Sequence, residues 1–372
     1  MASSRIVVHG CYNTPNFGDL LLLDLAAGHV ERRFGVRPSV PWPLLGSRND
    51  LMASAGNGLA TCIKADAAIF GGGGYLADRG TVASARRLLR YTIPARLWRA
   101  LRTPYVIVGV GVGPLLSERG AKRVIPMCRG AMRVCVRDED SRQLLIDAGL
   151  DPGRVEAAAD MVLALRPDDI PEKSRHRAEQ LLGPRVPGRR RLGVHLQLLG
   201  EHEPVLRQLV EQALASLKGR DNVELIWLAD HDDTYYESAR RFGAEELPNV
   251  RFLPKQDHWT TAALIGGMDG VITTKLHVGI TAWALGVAPC GYSIHPKTRR
   301  LYRQIGRSDF QCDLGAPMAQ VDGWLRLFAD DFTAFAAECP TARRQLPTLA
   351  RRNYAIIDEL VRTVVPAHSA AV

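Results

Sequence analysis

Residues 5–34 read RIVVHGCYNTPNFGDLLLLDLAAGHVERRF, and the order of events along them carries the fold class. Ile6-Val7-Val8 is an apolar run of strand length, and Gly10 to Gly18 form a polar turn rich in glycine, asparagine and proline. Asp19 then stands as an N-cap before a leucine-rich helix that reaches Phe34. A strand that feeds directly into a long helix returns as a parallel neighbour, because the crossover carries the chain back to the starting edge. The same rhythm continues, with strands expected at Arg5–His9, Asp66–Phe70, Tyr105–Val112 and Met132–Val136. Helices are expected over Asp19–Phe34, Ala83–Leu101 and Asp140–Ala148. A second series of strands reads at Leu192–Leu196, Glu224–Leu228, Val250–Leu253, Gly270–Thr274 and Val287–Tyr292, separated by helices such as Pro204–Lys218 and Thr260–Gly267. The fold class is α/β, two Rossmann-like domains on mainly parallel sheets.

A chain of 372 residues exceeds one ordinary domain and suits two. The first is expected over 1–170 and the second over 190–330. Between them Arg166–Arg191, with several prolines and the cluster Arg189-Arg190-Arg191, reads as a surface connection and hinge. The remaining 331–372 is a helical segment, periodic over Leu349–Val365, expected to lie back across the first domain. The composition, 46% hydrophobic and 23% charged, is that of a globular protein without a run of membrane-spanning length. The N-terminus lacks the pattern of a signal peptide, so a cytoplasmic location is expected. Seven scattered cysteines without a C-x-x-C pair suggest buried thiols. The formal charge of +9 comes almost wholly from arginine, there being only seven lysines, and suits an anionic substrate or a membrane surface. No interleaving of aromatics with basic residues points to nucleic acid.

In parallel sheets, ligands gather beyond the carboxyl ends of the strands, where helix N-termini favour anions. Four loops there draw attention. Asn16, Gly18 and Asp19 end the first, and serve equally as a turn and helix cap. Gly71-Gly72-Gly73-Gly74 follows the second strand and suits either a tight turn or the close approach of an anion to bare N–H groups. Arg137 stands at the end of the fourth strand, before Asp138, as an anion contact or an exposed helix-start ion pair. Thr273-Thr274-Lys275-Leu276-His277 and Tyr292-Ser293-Ile294-His295-Pro296-Lys297 place two lysines and two histidines on adjacent strand ends. Gly109–Pro114 reads as close backbone packing, and Asp230-His231-Asp232-Asp233 as a solvated loop without metal-ligand spacing.

Together, Asn16-Phe17-Gly18-Asp19, Gly72-Gly73-Gly74, Gly109–Pro114, Arg137-Asp138-Glu139-Asp140-Ser141, Asp160, Lys275-Leu276-His277 and Tyr292 through Lys297 resemble, in order, the motifs of the polysaccharide pyruvyl transferase family. Lys275 stands where the family usually has arginine, which keeps the charge but loses the bidentate fork. The resemblance implies a GT-B-like architecture with the site in an interdomain cleft. It also implies transfer of the pyruvyl group of phosphoenolpyruvate onto two hydroxyls of a sugar, as a ketal, with release of phosphate. By resemblance His277 is the principal acid/base, Arg137 and Lys297 are anion clamps, and Lys275 is an auxiliary cation. Substrate contacts are further implied at Asn16, Gly18, Asp19, Gly72, Gly73, Gly74, Asp160, Tyr292 and His295.

No cofactor or metal is called for, since phosphoenolpyruvate is a substrate and the cations neutralise it; such an anion favours the protonated imidazole. The first domain is expected on the acceptor side and the second on the donor side. The stretch Arg86-Arg87-Leu88-Leu89-Arg90-Tyr91 through Arg96-Leu97-Trp98-Arg99 is basic and amphipathic. It suits peripheral contact with the inner face of a membrane that presents a lipid-linked sugar, or core packing of its apolar face. A nucleotide-sugar glycosyltransferase and a non-catalytic sugar- or anion-binding protein are the alternative functions. Acceptor sugar, hydroxyl pair, stereochemistry and oligomeric state stay open.

Overall fold

A computed structural model of the chain describes residues 4–12, 15–42, 54–196, 198, 200–229, 234–247, 249–293, 295–316 and 318–365. The chain forms two compact units, Met1–Ala164 with Leu346–Val372, and Leu165–Gln345.

The first unit holds strands β1 (Ile6–His9), β2 (Ser39–Val40), β3 (Ser54–Ala55), β4 (Ala67–Phe70), β5 (Gly73–Asp78), β6 (Tyr105–Leu115), β7 (Val134–Val136) and β8 (Val155–Ala157). Its helices are α1 (Phe17–Phe34), α2 (Gly58–Ile63), α3 (Val82–Arg87), α4 (Leu89–Leu101), α5 (Glu118–Gly130) and α6 (Glu139–Asp147). The sheet runs β3-β2-β1-β4-β6-β7-β8, with β5 beside β6, and its pairings are parallel. β1 and β4 are buried along their whole length, which is why they read as unbroken apolar runs.

The second unit holds α7 (Glu172–Leu182), β9 (Arg190–His195), α8 (Glu203–Leu217), β10 (Val223–Leu228), α9 (Thr234–Arg241), β11 (Val250–Leu253), α10 (His258–Gly266) and β12 (Gly270–Thr273). It continues with α11 (Leu276–Ala284), β13 (Ala288–Ser293), α12 (Pro296–Gln304), β14 (Gln311–Asp313), α13 (Met318–Asp330) and α14 (Phe332–Ala336). The sheet order β11-β10-β9-β12-β13-β14, all parallel, is the doubly wound order in which the direction of winding reverses between β9 and β12. In the first sheet the reversal lies between β1 and β4.

Helix α15 (Pro340–Val361) begins in the second unit and from Leu346 belongs to the first. There Asn353 Nδ2 donates to Ala159 O at 2.9 Å, Arg352 pairs with Glu156 at 2.9 Å, and His29 meets Asp358 at 2.7 Å. Residues 331–345, grouped by sequence with this helix, pack instead in the second unit, where Phe335 is buried in the core.

Three readings need correction. The break between units falls at Ala164–Leu165, and the segment read as a connection folds as α7 and the start of β9. Arg191 there is no surface cation. It is buried, bonds Glu224 at 2.9 Å, and donates to the carbonyls of Leu182, Gly183 and Pro184, which the end of α7 leaves without helical donors. The four glycines at 71–74 are not all loop, because Gly73 and Gly74 open β5. Gly71 and Gly72 bend the chain between β4 and β5, and β5 then resumes pairing with β6. A side chain at Gly71 would stand 2.1 Å from the Tyr12 hydroxyl, and Gly73 has φ +123°, so both positions exclude larger residues. Finally, the helix expected over Ala83–Leu101 is two, broken at Leu88.

Pro94 lies inside α4 and has no N–H, so the carbonyl of Arg90, four residues back, lacks its helical donor. His9, at the end of β1, fills the gap, with Nε2 3.0 Å from Arg90 O. The ring is buried among Trp42, Phe70 and Tyr91 at centroid distances of 4.9, 5.3 and 5.4 Å. Burial pushes its pKa from 6.5 down to about 4, with the bond to the Arg90 carbonyl opposing. Between these values the unfolded chain binds a proton that the folded one refuses. Stability therefore falls as pH drops from 6.5 towards 4, by about 3 kcal/mol at the foot of the window. His9→Gln is expected to flatten this dependence in urea melts run at several pH values. An undiminished acid slope in the variant would assign the effect elsewhere.

Candidate functional site

In the second unit the carboxyl ends of β9, β12 and β13 lie side by side, with Thr273 opposite both His195 and Gly291. Thr273 is buried at the end of β12 and organises the turn that follows. Its Oγ1 accepts from Lys275 N at 2.9 Å and stands 3.5 Å from His195 Nδ1. Thr274 N donates to His195 O at 3.1 Å, so β9 and the β12 turn are locked together. Lys275 becomes the N-cap of α11 and His277 sits in its first turn, both half-buried.

The neighbouring element repeats the arrangement. Tyr302 of α12 is buried against Gly291, where a side chain would stand 2.4 Å from its ring, and against Gly279 of α11. This contact seats α12 on β13 beside α11. His295 is the N-cap of α12, Pro296 follows, and Lys297 lies exposed in the first turn. Neither α11 nor α12 has an acidic residue in its first turn or a side-chain cap bond. Basic residues at the positive end of a helix dipole repel it, so two adjacent N-termini carrying Lys275, His277, His295 and Lys297 make an anion the fitting occupant.

In the first unit, Asn16 caps α1, its Oδ1 accepting from Gly18 N at 3.0 Å. Asp19 follows in the first turn, its Oδ1 3.5 Å from where a side chain at Gly73 would begin. Arg137, at the end of β7, lies over Gly111 so closely that a side chain there would stand 2.4 Å from its Cζ. Its Nη2 is 3.8 Å from the corresponding position on Gly74. The guanidinium is buried, 3.5 Å from Asp138 and 3.8 Å from Asp160, itself buried. Segments far apart in sequence thus converge: Asp19, Gly73–Gly74, Gly111, Arg137 and Asp160. Burial, and next the nearby Asp19 carboxylate, push the Tyr12 hydroxyl well above its ordinary value, so it stays protonated over the glycine bend.

The sequence profile of the polysaccharide pyruvyl transferases matches residues 14–296, well over half of the chain. The chain belongs to the polysaccharide pyruvyl transferase family. No curated protein sequence matches it significantly. Among solved structures it is similar to the UDP-GlcNAc 2-epimerase of Neisseria meningitidis bound to UDP-GlcNAc, with TM-score 0.65 and 10% identity over 97% of this chain and 100% of that one. The UDP-GlcNAc 2-epimerase of Methanocaldococcus jannaschii gives TM-score 0.63 and 11% identity over 97% and 99%. Anabaena Alr3699/HepE in complex with UDP gives TM-score 0.56 and 15% identity over 96% and 98%. At such identities the likeness is one of fold, and it places this pyruvyl transferase in the GT-B-like class of two Rossmann-like domains.

Of the residues singled out in this pyruvyl transferase sequence, two are placed in packing. Tyr292 points into the core of the second unit with its side chain fully buried, because alternate residues of β13 face that core. Gly72 is buried under Leu22. Asp230-His231-Asp232-Asp233, Asn13, Thr14 and Ile294 lie outside the described residues. His195 and Tyr12 escaped the sequence reading. His195 was hidden at the end of an apolar strand, although a polar residue at a strand's carboxyl end was the signal that marked Arg137.

Proposed function

We propose that this pyruvyl transferase takes phosphoenolpyruvate as donor and forms a pyruvyl ketal on two hydroxyls of a sugar in a polysaccharide or glycolipid precursor. The observation that carries the reading is the pair of adjacent, acid-free helix N-termini bearing Lys275, His277, His295 and Lys297. A donor with a carboxylate and a phosphate matches that concentration of positive ends.

His277 protonates the methylene carbon of the donor, which makes the central carbon electrophilic, and one sugar hydroxyl adds to it. The C–O bond to phosphate breaks, and the second hydroxyl closes the ketal. Of the two hydroxyl protons, one balances that delivered to carbon and the other leaves with phosphate. Lys297 and Lys275 hold the donor's anionic groups, and His195 with Thr273 keeps the Lys275 turn in place. On the first unit Arg137 offers an anion contact of its own, its fork oriented by Asp138 and Asp160. Asn16 and Asp19 face the acceptor.

Incubation of the purified chain with phosphoenolpyruvate and candidate glycan acceptors tests the reading. Phosphate release matched by an acid-labile pyruvyl ketal on the sugar is expected. Turnover of a nucleotide sugar with phosphoenolpyruvate untouched would replace it with a glycosyltransferase, and binding without turnover would replace it with a sugar- or anion-binding protein.

A further inference from the structure

We propose that the outer face of α3 and α4, with the adjoining α2, docks on an anionic lipid surface. From Val82 to Arg102 the chain carries Arg86, Arg87, Arg90, Arg96, Arg99 and Arg102 and no acidic residue. The fold sorts the apolar residues of this segment into two sets. Leu88, Tyr91, Ala95 and Trp98 are buried in the core of the first unit, so the inward face is already satisfied. Ile93 and Leu101 are left outside that core, 45% and 47% exposed. Arg86, Arg87 and Arg96 on the same segment are also exposed.

Helix α2 is tied to α4 by Trp98 Nε1, which donates to Cys62 O at 3.0 Å. It adds Leu59 and Ile63, 48% and 55% exposed and one helical turn apart. Large aliphatic side chains exposed on two neighbouring helices, on a segment rich in arginine, are a combination that a surface facing only water does not favour. The occupant follows from the mixture. A second copy of the chain would cover the aliphatics but bring like charges together, and a nucleic acid would pair the arginines but leave the aliphatics in water. An anionic bilayer satisfies both, since the aliphatics enter the headgroup boundary while the guanidinium groups reach phosphates. Among the described residues no helix is long and apolar enough to cross a membrane, in keeping with a contact at the surface. The face belongs to the first unit alone and does not depend on the donor chemistry.

Flotation of the full chain with phosphatidylcholine vesicles, with and without about 30 mol% phosphatidylglycerol, tests this. The chain is expected to float with the anionic vesicles only, and raised salt should weaken binding roughly tenfold. Ile93→Glu/Leu101→Glu, and separately Arg86→Gln/Arg87→Gln/Arg96→Gln, should each cause a loss of at least about tenfold with an unchanged circular dichroism spectrum. If the first variant unfolds, Ile93→Gln alone should show a smaller loss in the same direction. Native-like flotation of the folded variants, or failure of the native chain to float, overturns the proposal. So does self-association abolished by Ile93→Glu/Leu101→Glu without vesicle binding, which would identify a second copy as the occupant, or retention of RNA in place of vesicles.

Discussion

His277→Ala is expected to release phosphate from phosphoenolpyruvate about a thousandfold more slowly than the native chain, the usual scale for loss of a positioned acid/base. The side chain stands in the first turn of α11, half-buried, on a turn held by Thr273 and the backbone of His195. Since those bonds do not involve the imidazole at 277, the turn should keep its shape and the thermal midpoint should move by only a few degrees. The chemistry proposed for His277 is delivery of a proton to carbon, which a lysine ammonium beside it performs poorly at neutral pH. The loss should therefore appear in kcat, while the KM for phosphoenolpyruvate stays within about threefold because the cations remain. Lys297→Ala should do the reverse, raising KM more than it lowers kcat. A folded His277→Ala that turns over at the native rate would remove the imidazole from the mechanism.

Arg137→Met is expected to destabilise the first unit by about 3 kcal/mol, the cost of leaving a buried carboxylate without its cation. Asp160 is almost wholly buried and 3.8 Å from the guanidinium, and Gly111 leaves its side-chain space to the same group. The loss should shrink when Asp160→Asn is added, since the stranded charge then disappears. Arg137→Lys separates the two roles. It keeps a charge near Asp160 and much of the stability, yet loses the planar fork, so turnover should fall about tenfold. Denaturant melts of the single and double variants, with steady-state kinetics on Arg137→Lys, provide the check. Native stability in Arg137→Met would show that the ion pair contributes nothing, and unchanged kinetics in Arg137→Lys would show that the fork plays no part in turnover.

Strands and helices were largely legible because their signals are local. An apolar run such as Ile6-Val7-Val8, bounded by a polar turn and a leucine-rich segment, states its own conformation, and the resulting alternation leaves a parallel sheet as the way to close the chain. The residues at strand ends could be listed for the same reason. Lys275, His277, His295 and Lys297 stand out in the sequence, since polar residues directly after buried strands mark the ligand-bearing edge of such sheets. The shortest strands, Ser39–Val40 and Ser54–Ala55, are held by neighbours and have no pattern of their own.

Local pattern thus accounts for which segments form elements and which edge of each sheet bears polar groups, because both depend on residues within a few positions of one another. It could not show that Arg137 is buried between two carboxylates, that His9 replaces the donor missing at Pro94, or that the glycines at 71–74 bend a strand under Tyr12. Nor could it separate the apolar residues of α4 into a buried set and an exposed one. Those outcomes arise from contacts between segments tens of residues apart, where close packing fixes which side chains lose water and which donor meets which acceptor.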